Sequence, residues 1–222
     1  MKVCTDACLF GAWSAKKMME WVPDNKNILD IGTGTGLLSL MLAQRTTAMI
    51  DAIELDPAAA KQAAANFSAS SWNKRLNIIQ GSVIDLKKTK EYDLIISNPP
   101  FYENDLRSPD ESRAAAMHDS ELTLEQLVTA LANHLSNDGY VTVLLPFPRT
   151  ALFEITAIRK GLHVAERAFV RQTPAHHFFR SMLLLSRNKP YMEMEEEITI
   201  HDEQRQYTSA FVELLKDYYL KM

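Results

Sequence analysis

Asn27-Ile28-Leu29-Asp30-Ile31-Gly32-Thr33-Gly34-Thr35-Gly36 is the stretch that decides the fold. A short apolar run without alternation reads as a strand buried on both faces, as in a parallel sheet. Gly-Thr repeats end the run, and Leu37–Arg45 continues with the apolar spacing of a helix. Strand, glycine-rich turn and helix in that order open a βαβ unit. In open sheets made of such units, ligands sit beyond the carboxyl ends of the strands.

Working outward, the same alternation recurs. Ala48–Leu55 reads as a second strand, Pro57–Trp72 as an alanine-rich helix with proline near its start, and Leu76–Gln80 and Tyr92–Ser97 as strands three and four. Leu122–Leu135 is helical, Gly139–Leu145 is a fifth strand ended by Pro146, and Thr150–Lys160 is a helix closed by Gly161. Leu162–Gln172 and Ser181–Arg187 form a terminal strand pair, Met192–His201 alternates like an exposed edge strand, and Gln206–Leu220 is a closing helix. Upstream, Ala12–Trp21 is apolar at helical spacing, with its lysines expected on the outer face. The pattern predicts an α/β, Rossmann-like fold: a mostly parallel seven-stranded sheet, helices on both faces, and an antiparallel pair at the C-terminal end. Without repeats or linkers, residues 1–222 are expected to form one domain.

Composition narrows the class. Over 222 residues, 46% are hydrophobic and 23% charged, as in an ordinary globular protein. No apolar stretch approaches the ~20 residues that span a bilayer, and no signal peptide opens the chain. Cys4 and Cys8 lack partners at metal-ligand spacing, so free thiols in a reducing cytoplasm, and no metal, are expected. Net charge is −4, but Arg149 to Lys189 holds eight Lys or Arg against two acids, while 1–148 and 190–222 each come to −5. Such a block suits either a phosphate-contacting face or side chains scattered in solvent.

Two motifs carry chemistry. The spacing Gly32-x-Gly34-x-Gly36 is one residue tighter than the dinucleotide pattern, and Asp30 ahead of it opposes a pyrophosphate. An acid there suits a cationic or amino-bearing ligand, and Glu54, at the end of strand two, suits ribose hydroxyls. S-adenosyl-L-methionine has a ribose, a sulfonium and an amine but no phosphate, which favours it over NAD. Asn98-Pro99-Pro100-Phe101 follows the fourth strand, where two prolines stop the ladder. The Asn98 oxygen and the next backbone carbonyl are acceptors that together take both hydrogens of a planar NH2, and Phe101 offers a face for stacking. A plain strand-to-loop turn is the alternative reading of Asn-Pro alone.

Elsewhere the signals are weaker. Tyr102–Asp119 is a long polar loop in which Arg113 is either a substrate contact or an ordinary solvated arginine, and His118 is read as structural or exposed rather than catalytic. His176 and His177, beside Phe178, Phe179 and Arg180, form either an RNA-facing loop or a packed hairpin tip.

Taken in order, Asp30–Gly36, Glu54 and Asn98–Phe101 resemble class I S-adenosylmethionine-dependent methyltransferases that modify planar amino groups. Met1-Lys2-Val3-Cys4-Thr5-Asp6 through Leu9-Phe10-Gly11-Ala12-Trp13 and the closing Tyr207-Thr208-Ser209-Ala210-Phe211…Tyr218-Tyr219-Leu220 are similar to the head and tail of the bacterial tRNA1(Val) adenine-N(6) methyltransferases. The resemblance runs nearly end to end. It implies methyl transfer to an adenosine amine beside the anticodon of a tRNA, by a monomer. It also implies that Thr5 and Asp6 close over the methionine end of the cofactor, that Asp30, Gly32, Thr33, Gly34 and Gly36 line it, and that Glu54 holds the ribose. Ser82 stands where related enzymes often carry an acid toward the adenine, with Asp85 as the substitute. Asn98 and Phe101 would grip the base, while Arg113, His177 and Arg180 are the substrate-side candidates. Relatives usually carry a short segment before Met1-Lys2-Val3 that is expected to be missing here. Glutamine-N(5) protein methyltransferases resemble the chain at Asn98–Phe101 and are the alternative, as is an S-adenosylmethionine-binding RNA scaffold without turnover.

Overall fold

The computed structural model describes residues 4–99 and 122–219. Strands β1 (Asn27–Ile31), β2 (Met49–Glu54), β3 (Leu76–Gln80) and β4 (Tyr92–Ser97) lie within a residue of their apolar runs. With β5 (Leu135–Pro146), β6 (His163–Arg171), β7 (Arg180–Ser186) and β8 (Met194–Thr199) they form one sheet in the order β3-β2-β1-β4-β5-β7-β6-β8. Only β7 runs antiparallel to its neighbours among these pairings. Among the described residues the sheet therefore has eight strands, not the expected seven. The alternating segment after residue 192 joins it beside β6, in register from Glu166↔Met194 to Arg171↔Thr199. β5 also starts four residues before Gly139, through Ser136-Asn137-Asp138, with a register shift opposite Tyr92 and Leu94.

Helices α1 (Thr5–Trp21), α2 (Leu37–Ala43), α3 (Pro57–Ala69), α4 (Leu124–His134), α5 (Thr150–Arg159) and α6 (Ser209–Leu215) cover both faces. Their starts follow local chemistry. The Asp56 carboxylate accepts from Ala59 N at 2.7 Å with Pro57 next to it, and Thr123 and Gln126 form a reciprocal cap on α4. Alternate strand residues then sort into two apolar layers. Phe10, Trp13, Phe67 and Phe211 from α1, α3 and α6 pack on Ile28, Ile50, Leu94 and Ile96. Leu127, Leu131 and Phe153 from α4 and α5 pack on Leu29, Ile31, Ile95 and Val143.

The lysine face of α1 is not wholly solvated. Lys17 is buried, its Nζ 2.5 Å from Glu166 of β6, 3.3 Å from Glu20 and 3.8 Å from Glu196 of β8. Trp13 Nε1 donates to Glu196 at 2.7 Å. Burial alone would lower the Lys17 pKa, but the three carboxylates hold it above its usual value. The late strands reach under α1 and turn an outer face into an inner one.

Because all strands but β7 run the same way, one edge of the sheet gathers the glycine turn after β1, Glu54, Ser97-Asn98, Phe147 and Arg171. The pairings Pro146↔Arg180 and Val170↔Arg180 add the start of β7 to it.

Candidate active site at the carboxyl edge of the sheet

The turn after β1 is built for close approach. Gly36 sits at φ 87°, and a Cβ there would lie 2.4 Å from Cε1 of Phe67, so α3 packs directly on the turn. Gly32, at φ 70°, borders open space on the edge: a Cβ added there would meet nothing within 4 Å. The turn is stitched to β2, where Gly32 N and Thr33 N both donate to the Ile53 carbonyl, at 2.9 and 3.1 Å. Asn66 of α3 braces it by donating to the Thr35 carbonyl at 2.8 Å.

Two acids line this cradle. Asp30 is fully buried. Its Oδ2 accepts from Thr33 Oγ1 at 2.6 Å, Ser39 Oγ at 2.7 Å and Ser39 N at 3.2 Å, while Oδ1 has no hydrogen-bond partner among the described residues. Burial pushes its pKa up to about 6, and the charge of Glu54 adds to the rise against the hydrogen bonds. Glu54 accepts from Gly34 N at 2.8 Å through Oε2 and from Asp56 N at 2.9 Å through Oε1. The carboxylates are thus fixed by backbone and hydroxyl donors. An orphaned buried acceptor, a second acid and open space over a glycine turn fit an amino- and ribose-bearing cation such as S-adenosylmethionine.

The acceptor motif lies next door. Ile31↔Ser97 is the last pair of β1 and β4, and Ser97 Oγ donates to the Ile31 carbonyl at 2.9 Å. Asn98 is half-buried and Pro99 buried. Pro100, Phe101, Arg113 and His118 lie outside the described residues.

The other expected site residues fall into three groups. Ser82 Oγ accepts from Ile84 N at 3.2 Å and caps the turn Val83–Asp85, so its hydroxyl is engaged locally. Asp85 is exposed, and beside it Ile84 is 54% exposed, an apolar surface that its sequence context does not announce. Thr5 is exposed at the start of α1, and Asp6 pairs with Arg180 Nε at 2.8 Å. Burial would raise the Asp6 carboxyl, yet hydrogen bonds from Cys4 and Arg180 and the guanidinium charge hold it below its usual value. A cofactor candidate and a substrate candidate are therefore partners of one another. His177 is exposed on the hairpin between β6 and β7, while Phe178 packs against Phe147 and Phe169 at 5.5 Å, so that tip is both packed and open.

Five of the eight cations of the basic block are engaged within the protein. Arg167 binds Glu154 and Glu193, Arg171 binds Glu197, Arg180 binds Asp6, Lys160 binds Glu125, and Arg187 donates to the carbonyls of Ala132 and Leu135. Ser39 escapes the motif reading, although a lone serine in the apolar run Leu37–Ala43 is a signal for it. Nothing local marks Asn66. Among the described residues, no cluster of three His, Cys, Asp or Glu could hold a metal, and no helix is long and apolar enough to cross a membrane.

This arrangement has relatives. The family model described as the methyltransferase small domain matches residues 14–145. The chain is 39% identical to the tRNA1(Val) (adenine(37)-N6)-methyltransferase of Cytophaga hutchinsonii, over all of this chain and 92% of that protein. In fold it is similar to a predicted O-methyltransferase from Agrobacterium tumefaciens, with a TM-score of 0.66, 16% identity and 95% of each chain covered. It is also similar to the glycopeptide N-methyltransferase MtfA complexed with S-adenosyl-L-methionine, with a TM-score of 0.58, 12% identity, and 81% of this chain and 94% of that one covered. On the family model and the full-length identity, the chain belongs to the tRNA1(Val) (adenine(37)-N6)-methyltransferase family and carries the methyltransferase small domain.

Proposed function

We propose that the protein transfers a methyl group from S-adenosyl-L-methionine to the exocyclic N6 amine of adenosine 37, beside the anticodon of tRNA1(Val). One observation carries this reading: the acid-lined cradle after β1 and Asn98-Pro99 after β4 occupy neighbouring strand ends, paired at Ile31↔Ser97. Adjacent strands are about 4.8 Å apart. A donor held by one strand end and an amine held by the next therefore start close to the ~3–3.5 Å of a reactive approach.

Asp30 Oδ1 and Glu54 hold the amine and ribose of the cofactor, with the glycine turn beneath and Thr33 and Ser39 fixing the Asp30 carboxylate. Ser82, Asp85 and Ile84 stand at its adenine end. When bound, S-adenosylmethionine supplies an electrophilic methyl group. The chain supplies orientation. The Asn98 oxygen and the Pro99 carbonyl accept the two N–H bonds of the target amine, which localises the lone pair on N6 and aims it at the cradle. Pro100 stiffens the motif and Phe101 stacks on the base. The base leaves its stack to reach them, at a cost of a few kcal/mol. Arg180 keeps Asp6 and Thr5 at the rim through its ion pair, while the exposed His177 faces the RNA and Arg113 is a further candidate contact from the sequence. Both apolar layers share one sheet, which supports a single domain. The same reading makes the protein a monomer working in the cytoplasm, with tRNA as its partner and no metal.

Labelled methyl transfer to total tRNA from a strain lacking the gene tests this. N6-methyladenosine forms with the intact chain and disappears in Asn98→Ala, while S-adenosylmethionine still binds. Label on a release factor instead of tRNA points to the glutamine-directed alternative. Binding without transfer to either substrate means a scaffold without turnover.

A further inference from the structure

The carboxyl edge continues past the cradle. β8 ends four strands from β4, about 19 Å away at about 4.8 Å per strand. The chain leaves β8 along the same edge, where Ile200 N and His201 N donate to the carbonyls of Arg171 and Gln172 at 3.0 and 2.9 Å. It then reverses in a tight hairpin. Asp202 Oδ1 accepts from Gln204 N and Gln206 N, both at 2.9 Å, and His201 and Tyr207 face each other across an antiparallel bridge.

Three rings stack in series here. His201 and Tyr207 have centroids 4.8 Å apart at 24°, and Tyr207 and Phe211 are 4.8 Å apart at 19°. Phe211 is fully buried, Tyr207 is 42% exposed and His201 half-buried, so the stack is rooted in the core and ends at the surface. Beside it, exposed Arg205 has a φ of 62°, a left-handed conformation found at no other non-glycine among the described residues. Packing accounts for Phe211. It does not account for a ring pair that reaches the surface and a strained cation held at the edge where the chemistry is placed.

We propose that this hairpin is a second contact for RNA, in which an unpaired base stacks on His201 at the outer end of the ring series and Arg205 reaches the adjoining phosphate. The inference rests on the tRNA reading above. Stacking on aromatic side chains is a general mode of single-stranded RNA recognition. The span of about 19 Å from Asn98 corresponds to about five or six stacked nucleotides at about 3.4 Å each, so a base in the same loop or arm as the target reaches it.

The test is steady-state methylation of tRNA by His201→Ala, His201→Tyr and Arg205→Gly, with S-adenosylmethionine affinity and melting temperature measured in parallel. His201→Ala raises KM for tRNA about fivefold or more, the effect of one lost stack, with kcat and cofactor affinity unchanged. His201→Tyr restores KM. Arg205→Gly raises KM and lowers the salt dependence by about one phosphate contact without lowering the melting temperature, because glycine suits the positive φ. Unchanged KM in His201→Ala and Arg205→Gly, with the intact chain active, overturns the RNA contact alone. A rise in KM matched by lost cofactor affinity or melting temperature makes the stack structural and also overturns it. No methylation of tRNA by the intact chain overturns the function itself, and this inference falls with it.

Discussion

Asp30→Asn separates what the cradle does for a ligand from what it does for the fold. The carboxyl is buried and its pKa is pushed up to about 6 from an ordinary 3.8, mostly by desolvation. A rise of about two pH units, at about 1.4 kcal/mol each, means that ionised Asp30 costs the folded state on the order of 3 kcal/mol. The sign follows from the raised value. The cost is complete above pH 6, shrinks as pH falls toward 4, and is absent below the unfolded-state pKa. Asn keeps an acceptor for Thr33 and Ser39 but carries no charge. In urea unfolding, Asp30→Asn is therefore more stable than the natural chain at pH 8, by up to about 3 kcal/mol, and the gap narrows to about a third of that by pH 4.5. Cofactor binding moves the other way. On the proposed function the variant loses the carboxylate that would hold the amine, so the natural chain binds S-adenosylmethionine more weakly as pH falls through 6. A stability gap that is constant from pH 8 to 4.5, or a variant that is less stable at pH 8, refutes the argument that the cradle stores an uncompensated charge for its ligand.

Other outcomes follow from single contacts. Gly36→Ala places a Cβ against Phe67 at a left-handed position, and costs at least about 2 kcal/mol in urea unfolding. Gly36→Ala/Phe67→Leu recovers the overlap but not the backbone part. Lys17→Met leaves the Glu166 carboxylate buried without its partner and costs about 3–5 kcal/mol, and Lys17→Met/Glu166→Leu regains most of it in the same assay. Arg180→Ala releases Asp6, so amide hydrogen exchange quickens at Ala7 and Cys8 of α1 while the strands remain protected.

The elements near the site were legible because their causes are local. β1 and β4 are buried on both faces, so each is a continuous apolar run, and glycine or proline marks its end. The positions of Asp30, Glu54 and Asn98 at strand ends follow from that alone. Where the reading failed, the determinant was distant. Asp6 and Arg180 are 174 residues apart, and the spacing of neither hints at the pair. Lys17 sits in a helical pattern that gives it an outer face, and only the strands of residues 163–199 enclose it. The basic block is basic in composition, yet half of its eight cations pair with acids, most of which come from other elements.

Sequence alone determined the alternation of strands and helices, the sheet edge that carries the candidate site and the acids and amide that stand on it, since backbone periodicity and strand-ending residues act within a few positions. Tertiary structure alone decided that β8 closes an eight-stranded sheet, that Lys17 is buried, that Arg180 faces Asp6, and that three rings stack at the far end of the edge. Those depend on which surfaces meet when the chain closes on itself, and burial and ion pairing between distant segments leave no period in the sequence.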